Sequence, residues 1–275
     1  NASVTREAAS KPKKKKAAKR KTKTPPPAAP VKPKDSWDLP MTAAIVRSSE
    51  PGCEPTCPHW ISLEGRIVGS SPGVVRKALK QAGKQRLPVL IRSPGGEMNA
   101  ALEIGRMIRQ RKLDVAVGWT LFNGCAPLEK SCKLPKEQQG VYRGTAYDSL
   151  GFCNSACPLV LAAGTSRLAS SRAYVGVHQV RTTWVQERVV YRERYRMVNG
   201  KKKVLDRKII SRKPGKSFEK HGLDKGLRKR LTAYFKEMGI GLGILEDMEK
   251  APPSSIYQLS NVRMEELRLT TSAGS

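Results

Sequence analysis

"LPVLIRSPGGEMNAALEIGRMIRQRKL", residues 87–113, carries the fold in miniature. Its first seven residues form a continuous apolar run of strand length, the pattern of a strand buried on both faces. Ser93-Pro94-Gly95-Gly96 then breaks the chain. Beyond the break, Met98, Ala101, Leu102, Gly105 and Ile108 recur at helical spacing, with the charged residues mostly on the other side. Strand, glycine turn and amphipathic helix in that order predict an α/β chain with mostly parallel pairing.

The flanking sequence repeats the alternation. "TAAIVRSS" (42–49) and "HWISLEGRIVG" (59–69) read as strands. "SSPGVVRKALKQAGKQ" (70–85) reads as a helix with Ser70 or Ser71 as N-cap and Pro72 in the first turn. "DVAVGW" (114–119) is a strand, 119–150 a loop-rich stretch, "CPLVLAAG" (157–164) a buried helix and "AYVGVHQV" (173–180) a strand. Residues 181–220 form two alternating arms around Asn199-Gly200, a hairpin signal with mostly Arg and Lys outward. Helical patterns return over 216–240 and 242–251, and 256–269 reads as a short strand followed by a helix.

Fifty-two basic and 23 acidic residues give a formal charge of +29. Residues 1–36 hold twelve Lys/Arg against Glu7 and Asp35, so +10 lies there and +19 in the rest. The stretch 1–40 is Lys-, Pro- and Ala-rich and predicts a disordered tail ahead of a folded domain at 41–275. Such a field attracts an anionic surface or polyanion. No RRM, KH or zinc-finger spacing accompanies it. No apolar run approaches the ~20 residues that span a bilayer, so no transmembrane segment is expected.

Six cysteines come in local couples, Cys53/Cys57, Cys125/Cys132 and Cys153/Cys157, which suits an oxidising compartment and a periplasmic or secreted chain whose signal peptide has been removed. Cys53, Cys57 and His59 fall one ligand short of a structural zinc site, so disulfides are expected, with no metal and no cofactor. Bonds 53–57 and 125–132 are the expected pairs. Cys153 and Cys157, four apart at a helix start, bond either to each other, at a cost in helical geometry, or to the loop cysteines.

Three features could carry chemistry. The Gly95-Gly96 turn can aim backbone N–H groups at an anion, and no Gly-Lys-Ser/Thr follows to make it a phosphate loop. Ser155, ahead of an apolar helix, has helix capping as its default role. Its surroundings lack Gly-x-Ser-x-Gly, so a hydrolase nucleophile elbow is not expected. His178, at a strand end, is one of three histidines and could serve a serine as base.

Taken in order, "IRSPGGEMNAALEIGRMI", "CNSACPLVLAAG" and "VGVHQ" resemble ClpP, the proteolytic subunit of the Clp protease, within the crotonase superfamily. The likeness runs from about Trp60 to Leu269 and is nearest to extracytoplasmic bacterial ClpP-like proteins, whose C-terminal stretch "YFKEMGIGLGILEDMEKAPPSSIYQLSNVRMEELRL" is similar to. It implies a fold of repeated β-β-α units with the hairpin as an insert. It implies Ser155 as nucleophile, His178 as general base, and Gly95 or Gly96 with the Ala156 N–H as oxyanion hole. A peptide or protein would be cleaved through an acyl-enzyme without ATP, since the chain has no ATPase-like segment. The family's orienting aspartate falls on Ala251 or Pro252 here. Asp247, Glu249 and Asp224 are the substitutes, or a dyad is helped by a backbone carbonyl or Ser254. The 181–220 insert stands where ClpP has its ring-forming handle, so any homo-oligomer would assemble differently. Two alternatives follow from the same residues: an inactive binding module for acidic partners, and an acyl-CoA-binding crotonase relative using Glu97 and Glu103.

Overall fold

The computed structural model describes residues 36–129, 131–134 and 140–271. Most of the expected tail therefore lies outside the described residues. The described residues belong to one compact unit. A single 3-10 turn, Ser36–Asp38, already touches the body, with the Trp37 ring edge-on to Phe152 at 5.5 Å.

β1 (Thr42–Ser48) and β2 (His59–Glu64) pair antiparallel, with Thr42 opposite Glu64. α1 (Ser71–Ala82), β3 (Val89–Arg92), α2 (Met98–Gln110) and β4 (Val115–Val117) follow as a β-α-β run, and β3 lies parallel to both β2 and β4. β5 (Trp119–Phe122) and β6 (Tyr142–Tyr147) pair with each other, and β6 joins β1. With β8 (Arg167–Leu168) beside β4, the main sheet runs β5-β6-β1-β2-β3-β4-β8.

A second sheet positions the candidate site. It is built from β7 (Phe152–Asn154), β9 (Tyr174–Val177) and β12 (Tyr257–Gln258), with β9 in the centre. α3 (Cys157–Leu161) follows β7 directly. α4 (Lys225–Met238), α5 (Ile244–Met248) and α6 (Asn261–Glu266) complete the body.

One apolar cluster holds these layers together. α2 buries Ile104 and Ile108 in one cluster with Ile61 and Leu63 of β2 and Ile91 of β3. Each such side chain contributes about 1.5–3 kcal/mol on burial. Val160 and Leu161 of α3, Leu231 and Phe235 of α4 and Ile244 of α5 belong to the same cluster. Tyr234 is fully buried there, and its hydroxyl donates to the Leu159 carbonyl at 2.7 Å. Burial pushes that phenol above its usual range, so it remains a donor.

Several expectations change. The loop-rich stretch 119–150 contains β5 and β6. The helix expected from 216 starts at Lys225, behind the Asp224 side chain that accepts from Leu227 N–H, because 216–221 belong to a strand. Ser70 occupies the N-cap position of α1 without capping by its side chain, and the Ser71 hydroxyl instead accepts from Val68 N–H. The arms of the insert form β10 (Arg181–Val198) and β11 (Lys201–His221), turning at Asn199 and Gly200.

Disulfides join Cys53–Cys57, Cys125–Cys132 and Cys153–Cys157, a set consistent with an extracytoplasmic environment. The cost expected for the last pair does not arise, because only Cys157 is helical. Cys153 lies in β7, and the turn between brings the two Cα atoms to 5.1 Å, inside the usual range for a disulfide. Among the described residues no helix is long and apolar enough to cross a membrane.

Candidate active site

The end of β3 and the end of β7 are stitched together. Ser93 N–H donates to the Phe152 carbonyl at 2.9 Å, and Asn154 N–H donates to the Ser93 carbonyl at 3.0 Å. The chain leaving β3 must then clear the chain leaving β7, which explains Ser-Pro-Gly-Gly. A Cβ on Gly95 (φ +89°) would stand 2.4 Å from the Asn154 carbonyl oxygen and 2.5 Å from Ser155 Cβ. A Cβ on Gly96 (φ +139°) would stand 2.0 Å from the Ile67 carbonyl oxygen. Both backbones also adopt angles that favour glycine.

Ser155 is the turn residue between β7 and α3, with φ +61°. Its N–H donates to the Gly176 carbonyl of β9 at 2.9 Å. The capping role expected of it is not what the structure has, since Ala156 holds the N-cap position of α3 and no side chain caps that helix. A serine in the left-handed region at a sharp strand-to-helix turn is the geometry of a nucleophile elbow, reached without the glycine-flanked motif. The room for this turn comes from another segment, at Gly95.

The register of the second sheet sets His178. β7 and β9 run parallel with Asn154 opposite Gly176, so the residues that follow each strand emerge at the same end. Ser155 and His178 line one cleft of about 700 Å³, with Gly96, Ala156 and Ser254. No hydrogen bond joins Ser155 to His178 among the described residues. His178 Nδ1 lies 2.6 Å from the Gln179 carbonyl oxygen. A carbonyl only accepts, so in this pose Nδ1 carries the hydrogen and Nε2 of the neutral ring keeps its lone pair.

The resemblance points to the backbone amides of Gly95, Gly96 and Ala156. Gly95 N–H donates to the Ser93 hydroxyl at 3.1 Å, so it is occupied. Gly96 and Ala156 N–H groups donate to no group among the described residues, and both residues line the cleft. Ser93 and Gln179 are the residues that sequence reasoning passed over. Gln179 ties the histidine segment down, its N–H donating to the Ala251 carbonyl at 2.9 Å and its side-chain amide to the Glu249 carbonyl at 3.2 Å.

None of the three carboxylates named as third members hydrogen-bonds His178. Asp247 is fully buried and accepts from Arg263 Nε at 2.7 Å, with Lys250 Nζ 2.6 Å away. The Glu249 carboxylate accepts from Leu223 N–H, and Asp224 caps α4. Of the two acids considered for acyl-CoA chemistry, Glu97 lines the cleft while Glu103 pairs with Arg76 on an exposed helix face. Among the described residues no group of three or more His, Cys, Asp or Glu is gathered as a metal set, and Cys53 and Cys57 are spent on their disulfide.

Ile67, Met98, Leu159, Phe235, Ile244 and Met248 give the cleft an apolar lining. Arg66 and Glu97 stand at its polar margin, Arg66 paired with Asp38.

No protein-family model and no curated protein matches the sequence. Among solved structures, the chain is similar to a serine-to-alanine mutant of the 1510-N membrane-bound stomatin-specific protease, at 11% identity and TM-score 0.41, over 78% of this chain and 77% of that one. It is similar to a lysine-to-alanine mutant of the same protease in complex with a substrate peptide, at 11% identity and TM-score 0.41, over 78% and 73%. The ClpP protease catalytic domain from Plasmodium falciparum is similar at 12% identity and TM-score 0.39, over 76% of this chain and 81% of that one.

Proposed function

We propose that this chain is a serine-dependent, ATP-independent peptide hydrolase on a ClpP/crotonase-type α/β scaffold. The observation that carries the reading is Ser155 in a left-handed turn, in one cleft with His178 and with two amides that have no acceptor among the described residues. In this reading His178 Nε2 takes the Ser155 hydroxyl proton as Oγ attacks the substrate carbonyl. The tetrahedral oxygen is held by the N–H groups of Gly96 and Ala156, which lose no internal bond by turning to it. The imidazolium returns the proton to the leaving amine, and water then hydrolyses the ester on Ser155. The Gln179 carbonyl does the orienting work of a third member at Nδ1. It carries no full charge, so it stabilises the imidazolium less than a carboxylate.

Peptidase assays with Ser155→Ala and His178→Ala test the reading. Both variants are expected to keep the wild-type melting temperature and lose hydrolysis, by about 100-fold or more for the histidine. Unchanged turnover in either variant would overturn it.

A further inference from the structure

β10 and β11 form a ribbon about 55 Å long that no third strand joins among the described residues. None of its residues from Arg181 to His221 is buried. A lone two-stranded ribbon is marginal in water, so its surface chemistry indicates what it meets.

The outer half has two unlike faces. Tyr191, Glu193, Tyr195, Lys202 and Arg207 share one, because Lys202 and Arg207 both pair with Glu193, Lys202 lies 4.5 Å over the Tyr195 ring and Arg207 lies 4.3 Å over the Tyr191 ring. Alternation and cross-strand register place Val189, Met197, Val204 and Ile209 on that face as well. Arg212, opposite Val189, joins it and pairs with Glu187 at 2.7 Å, so each acid on this face is matched by a cation. Tyr195 and Met197 are 55% and 60% exposed.

The same alternation puts five cations, Arg192, Arg194, Arg196, Lys203 and Lys208, on the opposite face, beside Val190 and Val198. Arg194 meets Asp206 at 3.8 Å. The other four have no carboxylate partner among the described residues.

We infer that this ribbon is a docking element for an anionic lipid bilayer, lying flat in the interface with its Tyr/Met/Val/Ile face inward. A segment of this kind sinks its apolar face about 5–10 Å below the headgroups, and a ribbon is about that thick, so the basic face comes level with the lipid phosphates. Charge complementarity selects the lipid, and the aromatic face selects a bilayer over a soluble polyanion. A nucleic acid would engage the basic face and leave the tyrosines in water. A second copy would bring two ribbons of fourteen Lys/Arg and four Asp/Glu each against one another.

Co-flotation of the full chain with vesicles tests this. Vesicles of 70% phosphatidylcholine and 30% phosphatidylglycerol should carry the protein up, and pure phosphatidylcholine should not. Arg192→Gln, Arg196→Gln, Lys203→Gln and Lys208→Gln together should weaken binding at least tenfold. Tyr195→Trp should be quenched by brominated phosphatidylglycerol beyond the parent protein. Binding that survives the four substitutions, equal binding to neutral vesicles, or no extra quenching would each overturn the inference. So would retention on heparin without vesicle binding, or a dimer in lipid-free buffer that Tyr195→Ser with Met197→Ser abolishes.

Discussion

Ser155 occupies a backbone region that costs a non-glycine residue about 1–2 kcal/mol. The cost is carried by what surrounds it: its N–H on Gly176, its neighbour Asn154 on Ser93, and the empty space at Gly95. Gly95→Ala is therefore expected to lower stability by about 1–3 kcal/mol and to disable the serine together with it. A melt combined with a peptidase assay checks both; a variant with wild-type melting temperature and activity would show that the turn does not need that space. The serine's position after a strand was legible, but its conformation was not. Capping and left-handed turn residues look alike in sequence, and what separates them is a glycine sixty residues upstream.

The elbow is also closed covalently, by Cys153 in β7 and Cys157 at the start of α3. Five residues lie within that ring, and removing such a short crosslink costs about 2 kcal/mol in the chain-entropy account. Cys153→Ser with Cys157→Ser should lower the melting temperature and reduce turnover more than apparent substrate affinity, because the turn rather than the cleft wall loosens. An intact turnover number in the folded double variant would limit the disulfide to stability. At this scale the sequence was uneven. The hairpin was readable from Asn-Gly between alternating arms. β5 and β6 were not, since "WTLF" is only four residues and "YRGTAY" carries a glycine where a strand residue would alternate.

Across the molecule, the C-terminal segment closes the cleft through Ser254 and is anchored by buried Asp247 between Arg263 of α6 and Lys250. Asp247→Asn should cost about 1–3 kcal/mol, because it removes the charge from a buried acceptor whose partners are partly solvated. Turnover by the folded fraction should persist, since Asp247 does not touch His178. A folded D247N protein without activity would give that carboxylate a part in the chemistry. The α/β class, the order of glycine turn, serine and histidine, and the basic ribbon were all visible in the linear chain. A backbone carbonyl beside His178 was among the expectations, but that it is the one of Gln179 was not, because a backbone carbonyl leaves no trace in side-chain chemistry.

The most direct test of the account is covalent. A fluorophosphonate should form one adduct, mapped by mass spectrometry to the peptide containing Ser155, absent in Ser155→Ala and slowed in His178→Ala. An adduct that persists in Ser155→Ala, or a wild-type protein that takes no label, would contradict it.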